Sequence, residues 1–318
     1  MTDQREAGSG SSVYAEAPWR PMEPVLWREP FDDSAWRFQP KWDGVRGLAV
    51  AKEGRAWLFG RGGAERTARY GEIVEALPAA VGGHDCWLDG EIVALVGGRP
   101  SFEHVMRRAM SHNERVPVHY AVFDLVALDG ADLRSTPFDR RQAELARVLE
   151  PRSPILATPT APERGRALFA EMASRGWEGV VGKRADSPYL PGSSGLWRKV
   201  KVRRRQLCAV VGYTSRGGRV RSLLVGAHDA GGLLVDLGGV SSGLTEAHLA
   251  EVGTYLKARP HVPPPYPARR EPGVEVHFVV PSLCIMVEYA ERGSDGRLRA
   301  PVAVRFMPDA SPADALLS

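Results

Sequence analysis

The apolar positions of this chain fall into two textures. From Trp36 to about residue 202, alternating stretches at 45–52, 55–59, 86–96 and 116–128 predict strands bounded by glycine or charged turns. Between them, residues 70–77, 101–110, 138–150 and 163–176 repeat apolar positions at three- and four-residue spacing and predict helices. Ser135 and Thr136 are N-cap candidates for the third helix, with Pro137 near its first turn. After Arg205 the runs shorten to 206–214, 219–228 and 232–240, separated by glycine turns, the punctuation of a small barrel or sandwich. One helix over 245–258 interrupts them, and strands resume at 274–292 and 298–309.

Residues 1–18 are small, polar and without period, and predict a disordered tail. The division that follows is a tail (1–18), a mixed α+β domain (19–202) and a β domain (203–318). A length of 318 residues with 43% hydrophobic positions supports two cores of ordinary size, so neither domain needs disulfides or a structural metal. Cys86, Cys208 and Cys284 stand far apart in apolar surroundings, with no metal-binding spacing, and read as buried thiols. No apolar run approaches the roughly 20 residues of a membrane span, and the N-terminus has no signal core. The expectation is a soluble intracellular protein with no membrane partner.

Charge adds a sharper observation. Of 42 basic residues only six are lysines: Lys41, Lys52, Lys183, Lys199, Lys201 and Lys257. A chain that writes its cations as arginine and keeps lysine at a few places has use there for an amine that can lose its proton and act as a nucleophile. Lys41 opens KWDGVRG (41–47), between two strand-like runs. Read alone, that segment is equally a hairpin turn with Asp43-Gly44 at its apex. In LDGE (88–91) two acids interrupt a buried strand and must be solvated, paired or metal-bound. In WRKVKV (197–202) the period of two puts Trp197, Lys199 and Lys201 on one face, where two adjacent lysines call for an anion. GVVGK (179–183) has too few residues between its glycines for a Walker loop. Histidines form no hydrolase or metalloprotease pattern.

The ordered set KWDGVRG, LDGE, FDL (123–125), EGVVGK (178–183) and WRKVK resembles the nucleotidyltransferase motifs of ATP-dependent DNA ligases, most of all the short bacterial ones, either stand-alone or as the ligase module of end-joining ligase D. The likeness runs from about Trp36 to the C-terminus. It implies an adenylation domain of nucleotidyltransferase (ATP-grasp-like) fold followed by an OB-fold barrel. It also implies roles. Lys41 would attack the α-phosphorus of ATP through a neutral amine and carry AMP, a step closed to arginine. Lys199 and Lys201 would hold the α-phosphate, and Glu178 with Glu91 would position Mg²⁺ or Mn²⁺, Glu91 alternatively contacting the ribose. Phe123 would stack on adenine and Gln39 would read its edge. Arg46 and Arg61 match arginines placed on the ribose and the nick 5′-phosphate, although Arg61 lacks the usual hydroxyl residue before it. Lys183 is carried over as a nucleotide contact and Arg305, in LRAPVAVRFMPD (298–309), as a pyrophosphate contact.

The resemblance thus implies a monomeric, cytoplasmic, nucleoid-associated enzyme that seals nicked double-stranded DNA, with DNA repair proteins as partners. The run Arg198, Lys199, Lys201, Arg203, Arg204, Arg205, followed by Arg216, Arg219 and Arg221, predicts a track for a phosphate backbone. Two other readings stay open at this point: an RNA ligase or capping-type nucleotidyltransferase, and a non-catalytic OB protein that binds nucleic acid.

Overall fold

The computed structural model describes residues 20–110, 116–266 and 272–317. The expected disordered tail, residues 1–18, lies outside them. The chain divides into two compact units, Met1–Val202 and Arg203–Ser318.

The first unit is built on two sheets. One has the strand order Met22–Leu26, Gly192–Lys201, Gly179–Arg184, Trp36–Pro40, Ala161–Pro162, and the other Ile155–Ala157, His119–Leu128, Cys86–Val93, Val45–Lys52, Arg55–Gly60. Between them lies an apolar layer to which both contribute: Met22 and Trp197 from the first sheet, Leu48, Val50, Trp87, Phe123 and Val126 from the second. Each large side chain buried there stabilises the stack by about 1.5–3 kcal/mol. Helix α1 (Gly71–Ala80) buries Ile73 and Leu77 in the core beside Leu58, Leu88 and Leu125. The other helices of this unit are α2 (Phe102–Met110), α3 (Phe138–Val148) and α4 (Gly165–Ser174).

Two local expectations are corrected. Residues 41–44 are not a hairpin turn, because the strands they join, Trp36–Pro40 and Val45–Lys52, belong to different sheets. Gly44 is required by crowding: a Cβ there would stand 2.2 Å from the Ile92 carbonyl oxygen. Helix α3 takes no side-chain cap from Ser135 or Thr136. Its N-cap position is Pro137 in an extended conformation (φ −54°, ψ 143°), so the proline itself sets the entry angle.

The second unit is one antiparallel sheet, ordered Leu234–Val240, Arg219–His228, Arg204–Arg216, Cys284–Tyr289, Val302–Met307, with Glu275–Phe278 also paired to Arg204–Arg216. Helix α5 (Glu246–Lys257) starts on a Thr245 capping box and buries Leu256 in the core. All three cysteines are free and buried. Among the described residues no helix is long and apolar enough to cross a membrane.

Candidate functional site

A pocket in the first unit gathers Pro24, Gln39, Lys41, Trp42, Arg46, Glu91, Phe123, Val181, Lys183 and Trp197. The sheets explain the gathering. Gln39 is the last residue but one of the Trp36–Pro40 strand of the first sheet, and the chain then crosses to the second sheet through Lys41, so both sheets supply the pocket's walls. Lys41 is held at this crossing by its own backbone N–H, which donates to the Gly179 carbonyl at 2.9 Å. Its neighbour Trp42 packs on Trp177, ring centroids 4.8 Å apart, and donates its indole N–H to Thr158 Oγ1 at 3.0 Å. Two adjacent residues therefore fix the nucleophile candidate against the strand that follows Glu178.

Glu178 lies between two ammonium groups, hydrogen-bonded to Lys41 Nζ and ion-paired to Lys201 Nζ at 2.6 Å. Burial alone would raise its carboxyl, but Lys41 and Lys201 outweigh burial and hold it below the ordinary range. Lys199, on the same strand as Lys201, has its amine pushed down by burial and by the charges of Lys41 and Lys201. Three lysines therefore converge on one small volume, where a bound anion would relieve their repulsion.

The two acids of LDGE part company. Asp89, fully buried, takes a bidentate hydrogen bond from Arg46 (2.6 Å to each oxygen) and another from the Tyr189 hydroxyl at 2.6 Å. That pairing keeps Arg46 charged despite its burial, with the pKa pushed further up. Arg46 also donates to the Met22 carbonyl and lies 4.7 Å from the centre of the Phe123 ring. Glu91 lines the pocket, and its side-chain carboxyl accepts no hydrogen bond from any described residue. Burial raises its carboxyl to about 7, against the pull of Arg46 and Lys41 and with the push of Asp89 and Glu178.

Those two carboxylates, Glu91 and Glu178, decide whether the residues suit a metal. Among the described residues no group of three His, Cys, Asp or Glu side chains forms a cation cage. A hard cation such as Mg²⁺ does not require one, since it is commonly held by one or two carboxylates with substrate phosphates and water completing the shell. Glu91, without a protein donor, and Glu178, surrounded by amines that also attract phosphate, fit that mode.

Lys183 is 2% exposed, donates to the Phe123 carbonyl at 3.1 Å, and has its Nζ 3.9 Å from the Trp197 ring centre, 4.5 Å from Phe123 and 4.8 Å from Phe138. Burial lowers its amine to about 7, against the attraction of Asp124 and Asp89. Phe123 is thus flanked by Arg46, Lys183 and Trp197 while lining the pocket. Arg61 is largely exposed on a turn, 3.9 Å from Glu23. Arg305 lies in the second unit, exposed on the Val302–Met307 strand.

With this geometry in view, the chain matches two family models, the ATP dependent DNA ligase domain over residues 27–201 and the ATP dependent DNA ligase C terminal region over residues 216–310. The chain belongs to the ATP-dependent DNA ligase family. The ligase relatives include the multifunctional non-homologous end joining DNA repair protein LigD of Mycobacterium tuberculosis, 35% identical over 292 residues, which are 88% of this chain and 37% of that protein. The DNA ligase of Thermococcus onnurineus is 31% identical over 290 residues, 85% of this chain and 50% of that one. The chain therefore spans between a third and a half of the length of these relatives. Among solved structures, mycobacterial DNA ligase D complexed with ATP and MES matches 93% of this chain and 97% of that one at 32% identity and a TM-score of 0.55. The ligase domain of M. tuberculosis LigD matches at 30% identity and the same TM-score. The fold is accordingly the ligase pair of an adenylation domain and an OB-fold domain, as the motif order implied.

Sequence reasoning missed the residues that hold the site together. Asp124 and Arg141 form a fully buried bidentate pair, and Arg141 also donates to the Ser187 carbonyl at 2.9 Å. Gln142, Thr160 and Tyr189 contact site residues from elsewhere in the chain. No spacing rule links such positions, since only the tertiary fold brings them together. The basic run is also not one track. Arg198 lies 3.8 Å from the Trp27 ring and 4.5 Å from Trp36, Lys199 is half-buried beside Lys41 and Lys201, Lys201 is paired to Glu178, and Arg205 to Glu288, which leaves Arg203 and Arg204 as its open members.

Proposed function

We propose that this ligase seals nicks in duplex DNA by carrying AMP on Lys41. The observation that carries the reading is the convergence of Lys199, Lys201 and Glu178 on Lys41, which itself lines a pocket with Phe123 and Gln39. Lys41 Nζ, unprotonated, attacks the α-phosphorus; a P–N bond forms and the bond to the departing pyrophosphate breaks. Lys199 and Lys201 neutralise charge growing on the α-phosphate oxygens, and Arg46, braced by Asp89, faces the ribose. Phe123 and Lys183 bound the base, and Arg305 of the second unit orients the pyrophosphate. AMP then passes to the nick 5′-phosphate, which Arg61 contacts, and the 3′-hydroxyl displaces it.

Glu91 and Glu178 would hold Mg²⁺ or Mn²⁺, which supplies charge neutralisation on the phosphates. Arginines of the second unit are the natural contacts for the DNA backbone: the exposed Arg203 and Arg204, and Arg216, Arg221 and Arg299, which line a cleft of about 520 Å³ together with the ion pair Arg297–Asp236, Arg299 being paired there to Asp295 at 3.2 Å. Repair is the proposed setting, because the LigD relatives are named for end joining.

Lys41→Arg tests the assignment. Guanidinium stays protonated and cannot attack phosphorus, so the variant should take up no label from α-labelled ATP. It should still seal a nick that is already adenylylated, a step that does not use the nucleophile. Lys52→Arg, on the far end of the Val45–Lys52 strand, should label normally. Label retained by Lys41→Arg refutes the nucleophile.

A further inference from the structure

A glutamine at the base-reading position presents a problem of polarity. Its amide offers an acceptor on one side and a donor on the other, and the two faces are interchanged by a half turn about one bond. An apolar pocket with a freely turning amide would pair with the amine of a 6-aminopurine or with the carbonyl of a 6-oxopurine alike. Gln39 is 2% exposed and lines the pocket beside Lys41. Its Nε2 donates to Thr160 Oγ1 at 2.9 Å and to Gln142 Oε1 at 3.2 Å. Thr160 Oγ1 in turn donates to the same Gln142 oxygen at 3.2 Å.

The direction of this chain is set at its far end. Gln142 Nε2 donates to the backbone carbonyl of Phe123 at 3.0 Å. A carbonyl only accepts, so Gln142 must turn its NH₂ toward Phe123, which leaves Oε1 as the atom facing Gln39. That oxygen also only accepts, so Gln39 must turn its NH₂ toward Gln142. Gln39 Oε1 is then the atom left over, and no described residue donates to it. Flipping Gln39 would set two carbonyl oxygens against each other in a buried place, at the cost of an unsatisfied polar contact.

We propose that Gln142 and Thr160 are positioning residues that lock the Gln39 amide with its oxygen toward the nucleotide base, and that this lock makes the site select a 6-aminopurine over a 6-oxopurine. The inference rests on the proposed nucleotidyl transfer and deepens it, by locating base selectivity in a helix (α3) and a loop that do not touch the nucleotide. The exocyclic amine of adenine donates to Gln39 Oε1; guanine would place its own oxygen there, acceptor against acceptor. A site built to make a hydrogen bond rejects the analogue that cannot make it far more strongly than an apolar site does.

The test measures kcat/KM for covalent labelling of the full chain by α-labelled ATP and by α-labelled GTP with Mg²⁺. Gln142→Leu frees the Gln39 amide, so the ATP-to-GTP ratio should fall at least tenfold, with GTP labelling rising in absolute terms. Thr160→Val, at an exposed position, should lower the ratio in the same direction by less. Adding Gln39→Glu to Gln142→Leu should restore the preference for ATP, because a carboxylate presents an acceptor whichever way it turns. A role confined to folding would lower both nucleotides alike and would not be rescued. An unchanged ratio in variants that still label with ATP overturns the lock, and if Gln142→Leu does not fold, Thr160→Val decides alone. Absence of label from ATP on the unaltered protein is a different result: it refutes the proposed transfer, and the lock with it.

Discussion

Glu91 and Lys183 show what the site costs in stability. Both are charged residues pulled toward about 7 by burial, one from below and one from above. Between pH 4.5 and 7 the folded protein keeps a proton on Glu91 that the unfolded chain has lost, so this group lowers stability as pH rises. Between pH 7 and 10.5 the folded protein has lost a Lys183 proton that the unfolded chain keeps, so that group raises stability with pH. Their sum is a stability minimum near pH 7. Glu91→Gln should abolish the falling limb: the variant gains at most about 3 kcal/mol at about pH 8 and almost nothing near pH 4.5, while its rate of lysyl-AMP formation drops. Urea midpoints at about pH 5 and about pH 8 check this, and a gain of equal size at both values would contradict the assignment. The sequence did signal Glu91, because an acid in a buried strand demands a reason. It could not say that Asp89, two positions away, is committed to Arg46 while Glu91 is left to the pocket; that difference comes from the pairing of the Cys86–Val93 strand with its neighbours.

Elements hold these groups at fixed heights, and glycine permits the closest approach. Gly179 has φ +140°, and a Cβ there would stand 2.1 Å from the Val200 carbonyl oxygen, on the strand that carries Lys199 and Lys201. Gly179→Ala must therefore push the two strands apart at the point where Glu178 and Lys201 pair. We expect a destabilisation of roughly 1–3 kcal/mol together with a loss of lysyl-AMP formation greater than the stability change accounts for. A variant as stable as the parent, by thermal melting, would show that the strands can part at no cost. At this scale the sequence was most legible where local pattern decides: the strand Val45–Lys52 and the strand Arg219–His228 coincide with their alternating runs. It was least legible at 41–44, where a turn signal marks a crossing between sheets, because the tight contact of Gly44 with Ile92 is non-local. The basic run misled for a similar reason: alternation turned Arg198 into an aromatic cluster that charge counting does not see.

For the molecule as a whole, chemistry and DNA binding divide unequally between the units. Every residue assigned to the nucleotide except Arg305 belongs to residues 20–202, and the core of that unit, from Ile73 and Leu77 to Phe123 and Trp197, is made of its own side chains. A protein truncated after Val202 should therefore unfold cooperatively and bind ATP with its base selectivity intact, while lysyl-AMP forms more slowly for want of Arg305. What it loses is cationic surface, since Arg203 and Arg204 go with the second unit, as do Arg216, Arg221 and Arg299. Each phosphate contact contributes about −0.9 to the slope of log affinity against log salt on duplex DNA. Loss of the three cleft arginines alone should flatten the slope by about 2.7 and weaken binding most at low salt, where counterion release drives binding hardest. Titrating a labelled nicked duplex with the full and truncated proteins at several salt concentrations measures both slopes. Equal slopes would mean that the second unit contributes no phosphate contacts, and would exclude Arg203 and Arg204 from the DNA track as well, because the cut removes them too.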